Sequence, residues 1–324
     1  MSLKKRSLGK SGIQVTEIGL GLWAAGGGDW GPIDDREMAS AIDAALELGV
    51  TFFDTADVYG GGHSEEALGR SMQGRRDRFI VATKIGWRGF DGQARETAYK
   101  TVPQLIAGVE SNLQRLQTDY VDVLQSHISF RDSTMEVFLE GFQKLKRDGK
   151  VRAYGMSSSD LDFIRAFSQD GQCATLQIDY SILNRTPEAE IFEYCKANGI
   201  GVIVRGALAM GILTGKFDEN SQFAEGDFRR KWLSDPEQNA VYAHDLAKIR
   251  ELQALTRPDR SLAQSALQFT LAHGAVSTVI PGARNLAQVK ANVAAAHGPG
   301  LSRDDRSLID RVTAPGQGRK IWPA

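Results

Sequence analysis

The chain has 324 residues, 42% of them hydrophobic, enough to bury a full core as one large α/β barrel or as two smaller domains. Its 39 basic residues nearly cancel its 40 acidic ones, so no overall field draws it to nucleic acid, an anionic membrane or a polyanionic partner, and any anion must be held locally. Cys173 and Cys195 fall outside any metal-ligand spacing, no apolar run approaches the roughly 20 residues of a membrane span, and the N-terminus has no signal-like segment; the expectation is a cytoplasmic protein with reduced thiols.

Residues 3 to 16, LKKRSLGKSGIQVT, read as a small hairpin turning at Lys10 to Gly12. From about residue 17 to residue 296, short β-branched runs alternate with amphipathic helices, and strands are expected at 17–22, 51–55, 79–84, 120–126, 151–157, 174–178, 201–205 and 277–281. The helices carry their own punctuation. In IDDREMASAIDAALELG, Asp34 and Glu37 form a capping-box pattern, Met38, Ile42, Ala45 and Leu46 make one apolar stripe, and Gly49 supplies the stop. STMEVFLEGFQKLKRDG repeats the scheme with Ser133, Glu136 and Gly149. Thr186 and Pro187 open TPEAEIFEYCKANG as cap and first-turn proline, and SLAQSALQFTLAHG begins at Ser261 with Gln264 three residues on. Eight strand-then-helix units in unbroken series fit a (β/α)8 barrel, expected as a single domain over 1–324. Residues 206 to 240 are then a long insert after the seventh strand, and residues 301 to 324 a polar tail.

In such a barrel reactive groups gather at the C-terminal ends of the strands. Asp54 ends the second, Tyr59 follows in its loop, Lys84 ends the third, and His127 ends the fourth in VDVLQSH. Taken singly, each has an ordinary structural use as a turn cap, loop aromatic, surface charge or buried histidine. Together they are complementary: an ammonium beside a phenol favours the phenolate, a carboxylate holds that ammonium in place, and an imidazole can orient a carbonyl oxygen. The set protonates an oxygen. It includes no good nucleophile and no metal-ligand cluster, which argues against hydrolysis.

The later strands supply a place to hold a hydride donor. Ser157 and Ser158 end the fifth strand, Gln177 the sixth and Arg205 the seventh, and IPGARNLAQVKAN follows the eighth. There Pro281 and Gly282 turn the backbone, and Asn285 with Gln288 marks a helix start, so N–H groups and the positive end of a helix dipole converge beside Arg284. This is an anion site, and Arg284 suits the 2′-phosphate of NADP better than the bare ribose of NAD. Gln288 and Asn292, four apart on one helix face, are placed to read the adenine. No G-x-G-x-x-G follows the first strand, so a nicotinamide cofactor would bind without a Rossmann fold.

RSLGKSGIQVTEIGLG, FDTADVYGGGHSEEALG, ATKIG, VDVLQSH, GILTGKF and IPGARNLAQVKAN occur in this order, and in them nearly the whole chain resembles the aldo-keto reductase family. The resemblance implies a (β/α)8 barrel that reduces aldehydes and ketones with NADPH through an Asp, Tyr, Lys and His tetrad. It carries those roles onto Asp54, Tyr59, Lys84 and His127, with Tyr59 as general acid. It also implies cofactor contacts at Gly21, Trp23, Ser157, Gln177, Lys216, Gly282, Arg284, Gln288 and Asn292, and Asp54, Ser158, Arg205, Gly206 and Leu208 are expected to join them. Two positions depart from the family pattern: Ser158 stands where an asparagine is usual, and Arg205 where the family commonly has an aromatic that stacks on the nicotinamide.

Trp30 and Trp87, with Trp23 and aromatics of the insert, are expected to line the pocket for a small carbonyl substrate. Arg229, Arg230 and Lys231 suit either the cofactor's phosphates or an acidic substrate. A redox-sensing regulatory subunit and a sugar dehydrogenase are the alternatives, and a monomer or weak homo-oligomer is the expected state.

Overall fold

A computed structural model of the chain describes residues 2–86, 99–127 and 134–320. Strands β1 (Lys5–Ser7) and β2 (Gln14–Thr16) pair antiparallel as the expected hairpin. Eight parallel strands follow: β3 (Leu20–Gly21), β4 (Phe52–Asp54), β5 (Ile80–Ile85), β6 (Val121–Ser126), β7 (Val151–Ser157), β8 (Thr175–Asp179), β9 (Gly201–Arg205) and β10 (Val276–Val279), each hydrogen-bonded to the next. Parallel bridges Ile18 to Val279 and Gly21 to Gly282 join the first to the last and close the (β/α)8 barrel. The first strand is shorter than the expected 17–22 because before it only Ile18 pairs, through its single bridge to Val279.

The side-chain alternation within the strands is what makes the site. On β4 Phe53 packs outward in the helix-facing core, whereas Phe52 points inward. Inward positions Phe52, Ala82, Val123, Ala153 and Ile203 form one apolar layer low in the barrel, together with Leu8, Ile13 and Val15 of the hairpin, which therefore plugs the bottom. That plug requires bare backbone: a Cβ on Gly9 would lie 2.2 Å from the Gly201 nitrogen. One pleat further along, the inward residues turn polar: Asp54 after Phe52, Lys84 after Ala82, Gln125 after Val123, Arg205 after Ile203.

Helices α1 (Asp35–Glu47), α2 (His63–Met72), α3 (Val102–Leu116), α4 (Met135–Arg147), α5 (Leu161–Ser168) and α6 (Ile191–Ala197) surround the first part of the barrel. In the rest are α7 (Lys231–Ser234), α8 (Pro236–Leu252), α9 (Leu262–Ala272), α10 (Leu286–Ala294) and α11 (Arg303–Val312). Asp34 caps α1 by accepting from the backbone of Arg36 and Glu37, and Ser261 with Gln264 forms the reciprocal box that opens α9. Ser133 lies outside the described residues. The Thr186 cap is corrected: Thr186–Glu188 is a separate 3-10 turn, and α6 begins only at Ile191 with no side-chain cap. The Pro187 signal marked a turn that the chain leaves before helix proper begins. No helix among the described residues is long and apolar enough to cross a membrane.

Candidate active site

The Tyr59 turn explains the triple glycine beside it. Gly60 and Gly61 sit at φ 61° and 63°, and a Cβ on Gly60 would lie 2.1 Å from the Gly26 carbonyl oxygen. Glycine thus lets the turn press against the loop after β3, which brings the Trp23 ring 6.0 Å from that of Tyr59 at an interplanar angle of 24°.

Lys84 is fully buried, and its ammonium donates to Asp54 Oδ1 at 2.6 Å, the Thr55 carbonyl at 2.8 Å and the Tyr59 hydroxyl oxygen at 3.1 Å. Asp54 Oδ2 accepts from Gln177 Nε2 at 2.7 Å and Gln125 Nε2 at 3.5 Å. The His127 ring stands edge-on to Tyr59 at 5.8 Å. The four residues singled out in the sequence are therefore one cluster.

Burial works against the Lys84 charge, but Asp54 and Tyr59 more than offset it and hold its pKa above the ordinary value. Burial pushes the Asp54 carboxyl up while Lys84, Gln177 and Gln125 pull it down; with the ammonium at 2.6 Å the proton belongs on Lys84. His127 is held well below the usual imidazole range by burial and by the charges of Lys84 and Arg205, so it is neutral. The acidified phenol expected from the sequence is corrected. Lys84 does pull the Tyr59 hydroxyl down, but burial outweighs it and the net direction is up.

Above the cluster opens a cavity of about 410 Å³. Asp54, Tyr59 and His127 reach it from below. Gly21, Trp23, Trp30, Ser157, Gln177, Arg205, Gly206 and Leu208 also line it. It runs on to Lys216, to Gly282 and Arg284 before α10, and to Gln288 and Asn292 on that helix. Ser158 does not line it; it is fully buried, and its hydroxyl accepts from the Asp160 backbone. Trp87 lies outside the described residues.

The polar groups around α10 bind one another in part. Asn285 caps the helix, Gln288 Oε1 accepts from the Arg284 backbone at 2.8 Å, and Asn292 donates to the Gly282 carbonyl at 3.3 Å. The Arg284 guanidinium reaches the carbonyls of Trp30 and Pro32 in the first loop, tying the two loops together.

In the insert, Arg229 lines the cavity while its charge is paired within the protein. Its guanidinium grips Asp227 through Nε at 2.9 Å and Nη2 at 2.6 Å and lies over Trp30, Phe223 and Phe217 at 4.9, 4.9 and 5.4 Å. It holds the insert to the cavity wall, whereas Arg230 and Lys231 are exposed. Cys173 and Cys195 are free and buried, each thiol pushed up to about 12 by burial, which makes both poor nucleophiles.

Sequence reasoning missed Gln125, although strand alternation carried the signal: it lies two positions beyond the inward Val123 and directly opposite Lys84 in register. It also assigned Gln177 a cofactor contact alone, while the structure shows its amide on Asp54.

The family model for the aldo/keto reductase family matches residues 17–314. The chain is 32% identical to the NADH-specific methylglyoxal reductase of Escherichia coli (strain K12) over 324 residues, covering 95% of this chain and 97% of that protein. Among solved structures, a glycerol dehydrogenase from Gluconobacter oxydans superposes with a TM-score of 0.81 at 30% identity, covering 100% of this chain and 99% of that one. An aldo-keto reductase from Klebsiella pneumoniae in complex with NADPH superposes at 0.72 with 25% identity, covering 97% and 96%. The chain belongs to the aldo/keto reductase family.

Proposed function

We propose that the protein reduces an aldehyde or ketone to the alcohol with NADPH, Tyr59 supplying the proton to the carbonyl oxygen. The observation that carries this reading is the bond set of Lys84, which fixes an ammonium against the phenol oxygen at the base of a cavity. Because Lys84 donates to that oxygen, the hydroxyl hydrogen of Tyr59 is turned away from it. As the proton leaves, the charge developing on the phenol is stabilised by a donor already in place. Neutral His127 bonds the carbonyl oxygen and orients it, while Asp54 keeps Lys84 charged and aimed, itself held by Gln177 and Gln125.

The cavity fits an elongated anionic cofactor on two counts. It runs unbroken from Tyr59 to α10, and two residues lining it hold buried donors, Trp30 Nε1 and Arg205 Nη2, that have no hydrogen-bond partner among the described residues. When bound there, the cofactor supplies the hydride that the carbonyl carbon receives. Lys216, Arg284, Gln288 and Asn292 would hold its far end, and Arg284 with the NADPH complex of the Klebsiella relative favours the phosphorylated form, although the Escherichia coli relative is named as NADH-specific. Tyr59→Phe tests the acid: kcat should fall by about 10²- to 10⁴-fold while NADPH affinity, followed by fluorescence titration, stays unchanged. Retention of most of the activity would show that another group delivers the proton.

A further inference from the structure

We infer that Arg205 sets the redox preference of the nicotinamide site, its guanidinium penalising the cationic oxidised ring and sparing the neutral reduced one, so that the protein holds NADPH more tightly than NADP⁺. This rests on the reading of the cavity as a nicotinamide site.

Arg205 ends β9 as an inward-facing residue, one pleat above Ile203, and lines the cavity together with Tyr59 and His127. Among the described residues no carboxylate forms an ion pair with it, and its Nη2 is buried without a hydrogen-bond partner. Its charge is felt at both neighbours, pulling the Tyr59 hydroxyl and the His127 imidazole down. Lys84, by contrast, is matched by Asp54. Among the described residues that line the base of the cavity, Arg205 therefore adds a positive charge that no ion pair matches.

Hydride passes by direct contact, so any ring that serves a carbonyl bonded to Tyr59 must lie against Tyr59 and within reach of Arg205. The oxidised ring carries a positive charge that the reduced ring lacks. At roughly 6 Å, repulsion between two unit charges changes affinity about threefold at the dielectric constant of water and about a hundredfold at an effective value of about 20, and the half-buried Arg205 lies between these at about tenfold.

The test is fluorescence or calorimetric titration of NADPH and NADP⁺ against the unaltered protein, Arg205→Met, Arg205→Gln and Arg205→Lys. The ratio Kd(NADP⁺)/Kd(NADPH) should fall about tenfold in the two neutral variants and persist in the lysine one. That corresponds to a shift of about 30 mV in the potential of the bound couple. An unchanged ratio in whichever neutral variant folds, or equal weakening of both forms as expected of a phosphate contact, overturns the inference. Failure of the unaltered protein to bind either form overturns instead the reading of the cavity on which it rests.

Discussion

Asp54→Asn isolates the charge of the buried pair, because asparagine keeps the shape and one acceptor oxygen while removing the carboxylate facing Lys84 at 2.6 Å. With Lys84 at 0% exposure and Asp54 at 2%, the remaining ammonium would keep the Thr55 carbonyl and the Tyr59 oxygen but no counter-ion. Stranding a buried charge costs about 3–5 kcal/mol. The loss has a ceiling, since Lys84 can shed its proton: from an unfolded pKa of about 10.4, doing so near pH 7.5 costs about 4 kcal/mol, and near pH 9.5 only about 1.2 kcal/mol. The sign follows from linkage. In the variant the folded pKa of Lys84 drops below the unfolded one, the unfolded chain binds more protons, and stability rises with pH up to about 10.4. In the unaltered protein the folded pKa is raised, so this lysine's contribution is constant across that window and lost only above it. The gap in unfolding free energy between the two proteins, from urea titrations at several pH values, should therefore narrow from about 4 toward about 1 kcal/mol between about pH 7.5 and about 9.5. A gap that is constant with pH, or below about 1 kcal/mol at neutral pH, would refute the buried ion pair.

Glu65, behind the cluster, accepts from Thr83 at 2.5 Å and Arg115 at 2.7 Å, yet burial raises its carboxyl to about 7 from 4.5. A raised carboxyl gives stability that is present at low pH and lost as pH climbs, so from pH 4.5 to 8 the unaltered protein should lose about 3 kcal/mol more than Glu65→Gln; parallel pH profiles in chemical denaturation would contradict this. Arg229→Met keeps bulk but strands the buried Asp227; it should cost about 2–4 kcal/mol and expose residues 206–240 to limited proteolysis, whereas an unchanged digestion pattern would mean that the aromatic contacts alone hold the insert.

How far the sequence reaches is visible in β4 and in the insert. FFD announced a buried strand with a carboxylate at its end, and the same period of two puts Lys84 and Arg205 on the inner face, because register and pleat are local properties of the chain. The hairpin was legible as a hairpin but not as the barrel's plug, since its packing against Ala174 and Gly201 joins residues far apart in sequence. Arg229 could not be assigned for the same reason. Its role depends on Trp30, about 200 positions away, meeting Phe217 and Phe223. The Thr186 cap failed differently: Thr186 is the first residue inside a 3-10 turn and not its cap, and its hydroxyl donates to Asn184 Oδ1 instead.

The phenol gives the instructive disagreement. Proximity to Lys84 argued for a lowered hydroxyl pKa, and the ammonium does act in that direction, but removing Tyr59 from water costs the phenolate more than the ammonium at 3.1 Å returns. For a proton donor this balance is useful. A group lowered to neutrality would have lost part of its proton before substrate arrived, while a raised one stays loaded across the physiological range. If Tyr59 is the acid, as proposed, transfer would become favourable only as hydride reaches the carbonyl carbon and turns the oxygen into a stronger base than the phenolate. In the proposed reaction Lys84 and Arg205, which both pull the hydroxyl pKa down, would limit the cost of the charge left on Tyr59 at that moment, and burial would disfavour it at any other. On this account Lys84→Met should leave Tyr59 protonated at neutral pH yet slow proton transfer, lowering kcat much more than it changes KM for the carbonyl substrate.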